Sequence, residues 1–185
     1  MKSLDLLPIG DLPAGMLQWL APALANILRV PCEILPYSLK PTFAFHTERQ
    51  QYHSSELLGR MQDYLRPVTW RMLGVTAVDL YIPILTFVFG EAQMGGPCAV
   101  VSAHRLRQEF YGLPADPTLF LERLLKESVH EIGHTLDLTH CEDYRCAMAP
   151  SHAVEWIDLK EGALCTNCAS KTLDMAAPAE NYPFG

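Results

Sequence analysis

Short apolar runs along the chain predict four strands, bounded by glycine and proline. The predicted strands are Leu4–Ile9, Val30–Pro36, Asp79–Phe89 and Cys98–Ser102. We expect Gly90 to end the third strand and Gly95–Pro97 to form the turn before the fourth. The polar stretch Pro41–His53 between them predicts an irregular surface loop.

Helical periodicity covers Ala14–Leu28, where Pro22 predicts a kink, and Ser54–Leu65, where Ser54 or Ser55 is the predicted cap. Because strands and helices alternate through the first half of the chain, we expect a mixed, mostly parallel sheet with helices on its faces. No internal repeat interrupts this order, and the length favours one domain.

The strongest helical pattern begins at Asp116, a predicted N-cap that is followed by Pro117. Its apolar positions form one stripe, made of Leu121, Leu124, Leu125, Val129, Ile132 and Leu136. At 100° per residue, His130 and His134 fall opposite the centre of this stripe. Packing of the apolar face therefore does not account for the two histidines.

His130 and His134 are separated by one helical turn, about 40° apart around the helix, so both imidazoles can reach one metal ion. Glu131, between them, can contact a zinc-bound water without binding zinc itself, as in the zinc hydrolase motif H-E-x-x-H. His140 supplies a third ligand only if the chain bends after the helix. With Met148 downstream, the spacing matches the metzincin pattern. Three imidazoles and one open position describe a catalytic zinc.

Four cysteines form a second group: Cys141, Cys146, Cys165 and Cys168. Four thiolates suit a closed tetrahedral zinc site, although iron fits the same ligands. Two redox pairs or four unpaired thiols are the alternative interpretation. The other two cysteines, Cys32 and Cys98, have apolar neighbours and are interpreted as buried thiols.

Charge and composition exclude several classes of protein. Lys and Arg number 14 against 21 acidic residues, which gives a net charge of −7 and argues against a nucleic-acid partner, including a zinc-ribbon nucleic-acid module. Neither a transmembrane span nor a signal peptide is recognisable, so we expect no membrane partner and a cytoplasmic location. In that compartment, cysteines bind metals more often than they form disulfides.

The order of these residues resembles the archaemetzincin family. The resemblance rests on the third histidine followed directly by Cys141, then Cys146, Met148 and the closing Cys165-x-x-Cys168. The segment FVFGEAQMGGPCAVVSAHRL also resembles a strand pair of that family.

The resemblance implies an α+β, zincin-like fold, in which a twisted mixed sheet with an antiparallel edge strand lies above an active-site helix. It implies a catalytic zinc bound by the three histidines, with Glu131 as general base, and a structural zinc bound by the four cysteines, so two Zn²⁺ per chain. Met148 would be the Met-turn residue beneath the histidines. The resemblance implies that the edge strand consists of Ala99, Val100, Val101 and Ser102 and pairs with an extended peptide.

These expectations divide a single domain, residues 1–185, into three parts. Residues 1–138 hold the sheet and the helices, residues 139–175 hold the third ligand, the Met-turn and the cysteine segment, and residues 176–185 form a disordered tail. We expect a monomer that acts on a peptide or protein substrate.

Two features depart from the family pattern. Asp137 occupies the position of the glycine that lets the chain turn toward the third ligand, and aspartate tolerates the left-handed conformation better than most residues. The spacing from Met148 to Cys165 is one residue shorter than usual, which a loop can absorb. His152, just after the Met-turn, either lines the cleft or is exposed, and exposure is favoured. Asp137 keeps open a second hypothesis, a zinc-stabilised peptide-binding protein without useful turnover; Glu131 argues against it.

Overall fold

A computed structural model describes residues 2–172, so the predicted tail at residues 176–185 lies outside the described part. Within residues 2–172, the larger sheet contains β1 (Ser3–Ile9), β2 (Cys32–Ile34), β5 (Thr69–Thr76), β7 (Gly90–Ala92) and β8 (Cys98–Ser102). Its strand order is β2-β1-β5-β8-β7. The first four strands in this order are parallel and β7 is antiparallel, which confirms a mixed sheet with an antiparallel edge strand.

A second, three-stranded sheet contains β3 (Phe45–His46), β4 (Gln51–His53) and β6 (Leu80–Tyr81), in the order β3-β4-β6. The prediction of an irregular loop at Pro41–His53 was therefore wrong. This stretch contains a 3₁₀ turn at Pro41–Ala44 and the antiparallel pair β3-β4. Arg49, in the connection between the two strands, reaches Gln51 and the carbonyls of Leu85 and Thr86.

The helices are α1 (Met16–Leu28), α2 (Ser54–Met61), α3 (Pro117–Thr135), α4 (Val154–Leu159) and α5 (Thr166–Thr172). Asp116 caps α3 as predicted, since its Oδ1 accepts a hydrogen bond from the Leu119 backbone N–H at 3.0 Å. The predicted serine cap of α2 was wrong, because His53 occupies the cap position. None of the helices in the described residues is long and apolar enough to cross a bilayer.

The predicted strand Asp79–Phe89 was also wrong in most of its length. Only Leu80–Tyr81 is a strand, and Gly90 begins β7 instead of ending a strand. Pro83 has no backbone N–H to give to a ladder. The Arg49 guanidinium then satisfies the carbonyls of Leu85 and Thr86, which a neighbouring strand would otherwise satisfy.

The antiparallel edge strand is β7, so the assignment of that edge to Ala99, Val100, Val101 and Ser102 was wrong. These four residues lie in β8, which pairs with β5 on one side and with β7 on the other. Their backbone groups are already used in two ladders, and all four residues are buried. A peptide cannot add to this strand, whereas the outer side of β7 has no neighbour within the described sheet.

The main core lies between the larger sheet and the helices α1 and α3. A second core lies on the opposite face of the sheet, under α2. Helix α3 therefore packs its apolar stripe into the main core and presents its other face to β7 and the loop after the helix. This arrangement places the H-E-x-x-H residues beside the edge strand.

Candidate active site and metal centres

The last two turns of α3 position His130, Glu131 and His134 on one side of the helix, as their spacing predicts. His130 and Glu131 are each 5% exposed, which excludes ordinary surface positions for them. The His130 and His134 rings stand nearly perpendicular, with their Nε2 atoms 3.1 Å apart. The helix alone therefore brings two ring nitrogens to one point.

Asp137 makes the turn that brings the third histidine back toward the helix. Its φ of 63° is left-handed, as the sequence predicted for this position. The Leu138 N–H donates to the Gly133 carbonyl at 3.1 Å and the Asp137 N–H donates to the His134 carbonyl at 3.0 Å. These two bonds form a Schellman motif, with aspartate where glycine is usual.

Beyond this turn, His140 faces the other two histidines. Its ring centroid lies 5.3 Å from that of His130 and 5.1 Å from that of His134. One nitrogen from each of the three residues lies within 4.8 Å of the others. His140 is the exposed member, so the cluster is open to solvent on that side.

Backbone carbonyls fix the tautomers of the two helical histidines. His130 Nδ1 donates to the Ala147 carbonyl at 2.8 Å and His134 Nδ1 donates to the Leu138 carbonyl at 2.7 Å. A neutral ring that donates from Nδ1 has a lone pair on Nε2. Two lone pairs therefore face each other across 3.1 Å. Tetrahedral zinc with its usual Zn–N distance holds two nitrogens about 3.3 Å apart, so the residues fit this ion.

Burial lowers the pKa of all three histidines. For His130, burial acts together with the Lys160 ammonium and with His134, and the pKa falls well below its ordinary value. For His134 and His140, burial is again the main cause of the lower pKa. All three imidazoles are consequently neutral near pH 7, which is the form that binds a metal.

The Glu131 carboxylate lies against the edge strand, next to the histidines. A Cβ added to Gly90 would be 2.6 Å from Glu131 Cγ and 2.7 Å from its Oε1, so only glycine permits this approach. Burial raises the pKa of Glu131 well above its ordinary value, helped by the nearby charges of Glu127 and Glu91. A carboxylate with a raised pKa is a better proton acceptor and donor near neutral pH.

A buried ion pair lies next to the His130 ring. Lys160 Nζ is 3.0 Å from Glu127 Oε1, and the two side chains are 0% and 3% exposed. The same ammonium lies 3.3 Å from the Ala147 carbonyl, the group that orients His130. Burial raises the pKa of Glu127 against the opposing effect of Lys160. Through these contacts Lys160, which follows α4, connects Glu127 of α3 with Ala147, the residue before Met148.

Sequence reasoning missed Glu127, Lys160 and Gly90. Glu127 lies one turn before Glu131, and that spacing could have placed it on the same face of the helix. Lys160 and Gly90 reach the site only through tertiary contacts, and the sequence carries no local signal for either.

The four cysteines converge as the sequence suggested. One sulfur from each of Cys141, Cys146, Cys165 and Cys168 lies within 4.8 Å of the others. The Cys141 and Cys165 sulfurs are 3.8 Å apart, too far for a disulfide and close to the roughly 3.8 Å expected between thiolates on tetrahedral zinc. A hydrogen bond from the Cys168 backbone is the main cause that lowers the pKa of Cys165 to about 7. All four are free thiols in a geometry that suits a metal.

Burial raises the pKa of the other two cysteines, Cys32 to about 12 and Cys98 to about 11. Both remain protonated thiols at neutral pH.

Met148 lies beneath the histidine helix, fully buried. A Cβ added to Gly133 would be 3.1 Å from Met148 Cε and would overlap its Sδ, so the side chain sits directly on the helix between His130 and His134. The Met148 carbonyl also accepts from the Cys141 N–H at 2.9 Å, which connects this turn to the cysteine cluster.

A cavity of about 450 Å³ opens in front of the histidines. The three histidines, Glu131 and the β7 strand line one part of it, while the irregular segment 82–89 forms its apolar wall. Glu127, Ser151 and His152 also line the cavity. His152 is thus both exposed and part of the cavity, so both interpretations of this residue apply.

The fold and the site define a zinc metallopeptidase. The profile described as "Peptidase family M54" matches residues 28–174, and the chain belongs to this family, that of the archaemetzincins. The archaemetzincin of Methanocaldococcus jannaschii is 41% identical over 167 residues, which cover 90% of each protein.

Solved structures agree with this assignment. A crystal structure of archaemetzincin from Archaeoglobus fulgidus, complexed with malonate, has a TM-score of 0.79 and 38% identity and covers 91% of this chain and 99% of that one. A zinc-dependent peptidase from Methanocorpusculum labreanum has a TM-score of 0.82 and 30% identity over 91% of this chain and 98% of that one. Family membership implies a peptide or protein substrate.

Proposed function

We propose that this chain hydrolyses peptide bonds at a zinc ion held by His130, His134 and His140, with Glu131 as general base. One observation carries the proposal. The Nε2 lone pairs of two histidines, fixed by backbone carbonyls, converge in the same cavity as a buried carboxylate. A binding protein has no need of a general base beside such a cluster, whereas hydrolysis requires one.

The residues of the chain divide the chemistry between them. A zinc ion held by His130, His134 and His140 would act as a Lewis acid, which would lower the pKa of a water molecule and polarise the substrate carbonyl. Glu131 takes a proton from the attacking water and later gives it to the nitrogen of the leaving amine. Burial raises the pKa of Glu131, which favours proton transfer from the attacking water to its carboxylate. Gly90 leaves the carboxylate the space that it needs.

The edge strand β7 is the expected docking site for the peptide backbone. Its outer side is unpaired among the described strands, and its residues line the cavity beside Glu131. An extended peptide that pairs with this edge would pass in front of the histidines. The proposed docking strand is therefore β7 and not β8, and addition of the peptide as a further strand remains the proposed mode of binding.

The four cysteines are proposed to hold a second, structural zinc. Cys141 directly follows His140, and its N–H binds the Met148 carbonyl, so the cysteine cluster fixes both the third ligand and the Met-turn. We therefore expect Cys168→Ser to lower stability and to reduce activity indirectly. Unchanged thermal unfolding and unchanged zinc content in that variant would rule out the structural role. We further propose a cytoplasmic monomer.

The function is tested by turnover of a peptide library with the zinc-loaded protein and with Glu131→Gln. The proposal expects cleavage by the wild type and loss of cleavage in the variant, with the zinc content of both proteins equal. A wild type that binds zinc and peptides but cuts none would instead favour the peptide-binding alternative.

A further inference from the structure

A second, apolar groove lies beside His140, next to the main cavity. It has a volume of about 340 Å³, within the range of small-ligand pockets. The side chains that define it are those of Tyr144, Ala149, Pro150, Trp156 and Leu159, with Glu142 on the rim. We call it the Trp156 groove.

The apolar side chains of the Trp156 groove are unusually exposed. Tyr144 is 65% exposed, Trp156 is 49% exposed and Leu159 is 61% exposed. Trp156 and Leu159 come from α4, and Tyr144 comes from the loop of the cysteine cluster. Single exposed apolar residues are common, but a cluster that lines one concave site indicates binding. Tryptophan and tyrosine are also the residues that most often supply binding energy.

The Trp156 groove adjoins the candidate active site. His140 and Pro150 line both the groove and the main cavity. His152, which lines the cavity, contacts Trp156, which lines the groove, with ring centroids 5.3 Å apart at 73°. A peptide that lies across His140 can therefore place one side chain in each.

We propose that the Trp156 groove is a second substrate subsite, which binds a large apolar side chain of the same peptide that is cut at the histidine cluster. This inference rests on the proposed function and adds the class of side chain that is recognised. An aromatic or branched aliphatic side chain fits the apolar lining, and Glu142 on the rim disfavours an acidic neighbour. A second copy of the chain is the poorer occupant, because stable interfaces involve about 20–30 residues a side.

The test uses a defined probe, the capped hexa-alanine peptide and six versions in which one alanine is replaced by phenylalanine. We expect one version with phenylalanine away from the cut bond to have a kcat/KM about tenfold higher than hexa-alanine. Trp156→Ala should abolish this gain, so that the phenylalanine peptide and hexa-alanine are cut with equal kcat/KM. Trp19→Ala, which removes an exposed tryptophan from α1, should keep the gain.

Several results would overturn the proposal. The proposal fails if the phenylalanine peptide keeps its higher kcat/KM in Trp156→Ala. It also fails if Trp156→Ala lowers kcat/KM equally for every peptide, because that result indicates a structural role. If the phenylalanine peptide has a higher kcat/KM only after removal of residues 173–185, that segment and not the substrate occupies the groove. A dimer that dissociates on Trp156→Ala would assign it to a second copy.

The same peptides separate failure of this inference from failure of the proposed function. If the wild type cuts none of them, their binding to the zinc-loaded Glu131→Gln protein is measured by calorimetry. Tighter binding of one phenylalanine peptide that depends on Trp156 supports the subsite even though the hydrolytic function has failed. Equal binding of all seven peptides would overturn the subsite.

Discussion

Removal of the buried Lys160 ammonium is expected to destabilise the protein strongly. Lys160→Met keeps most of the length of the side chain and deletes the charge that lies 3.0 Å from Glu127 Oε1. It also removes the contact with the Ala147 carbonyl at 3.3 Å. Because both side chains of the pair are almost fully buried, water cannot replace the lost partner.

The size of the stability loss depends on the Glu127 carboxylate, which stays buried without its partner. A buried pair that loses one member costs about 3–5 kcal/mol. Burial already raises the pKa of Glu127, and loss of Lys160 raises it further, which favours proton uptake by the carboxylate and limits the cost. The hydrogen bond to Ala147 adds about 1 kcal/mol. We therefore expect a loss of about 3–4 kcal/mol for Lys160→Met, and a loss of about 1–2 kcal/mol for Lys160→Met combined with Glu127→Gln, because the uncompensated charge is then gone.

The assay is urea unfolding of the zinc-loaded proteins at pH 7, followed by circular dichroism, with metal content measured in each sample. The control is Lys126→Met in α3, a half-buried lysine whose Nζ makes an exposed contact of 3.4 Å with the Asp158 carbonyl, with an expected change within about 0.5 kcal/mol. A loss of less than about 1 kcal/mol for Lys160→Met would refute this prediction. A double variant that loses as much stability as Lys160→Met and Glu127→Gln lose together, each measured singly, would also refute it.

Three further predictions follow from individual backbone and charge positions. Gly90→Ala should displace Glu131 by about 1 Å, because the new Cβ would lie 2.6 Å from both Glu131 Cγ and the Val100 carbonyl oxygen. We expect kcat/KM to fall by up to about 100-fold with zinc retained. Gly59→Ala, whose Cβ meets open space, should keep full activity, and equal activities of the two variants would contradict the prediction. Asp137→Gly should keep or improve zinc retention against a chelator. Glycine relieves about 1–2 kcal/mol of left-handed backbone strain, which offsets its greater flexibility in the unfolded chain. Loss of zinc in this variant would mean that the Asp137 side chain has another role. Asp5→Asn should destabilise most near pH 7. Burial of Asp5 raises its pKa, but hydrogen bonds to its carboxylate outweigh burial and lower the folded pKa below 3.8. The stabilisation that the Asp5 carboxylate gives is therefore present above that pH and is lost as the pH falls through the folded pKa. A difference in urea midpoint between variant and wild type that stays constant from pH 7 to pH 3 would contradict that sign.

The convergence of the three histidines and of the four cysteines could be predicted because the information for it is local. Two histidines on one helical turn must share a face, and the left-handed turn at Asp137 follows from its place before the third histidine. The four cysteines were likewise grouped by number and position alone. These predictions depend on the backbone within a few residues, which the sequence specifies well.

The elements that sequence reasoning missed depend on distant contacts. The strand β5 lies at the centre of the larger sheet, yet Gly74 weakens its pattern. That glycine is needed because a Cβ there would be 2.6 Å from Ile9 Cδ1 and 2.8 Å from Met61 Sδ. Similarly, the apolar segment 82–89 resembles a strand, but Arg49, far away in sequence, holds it as the irregular cavity wall. Neither partner is visible from the segment itself.

The central claim is that the chain holds two separate zinc ions, one at the histidines and one at the cysteines. Metal content per chain of the reduced protein, measured by native mass spectrometry for the wild type and for His134→Ala, tests it most directly. The account predicts two zinc ions per chain in the wild type and one in the variant. A single zinc that survives His134→Ala would mean that only the cysteine cluster is filled, and it would contradict the catalytic site.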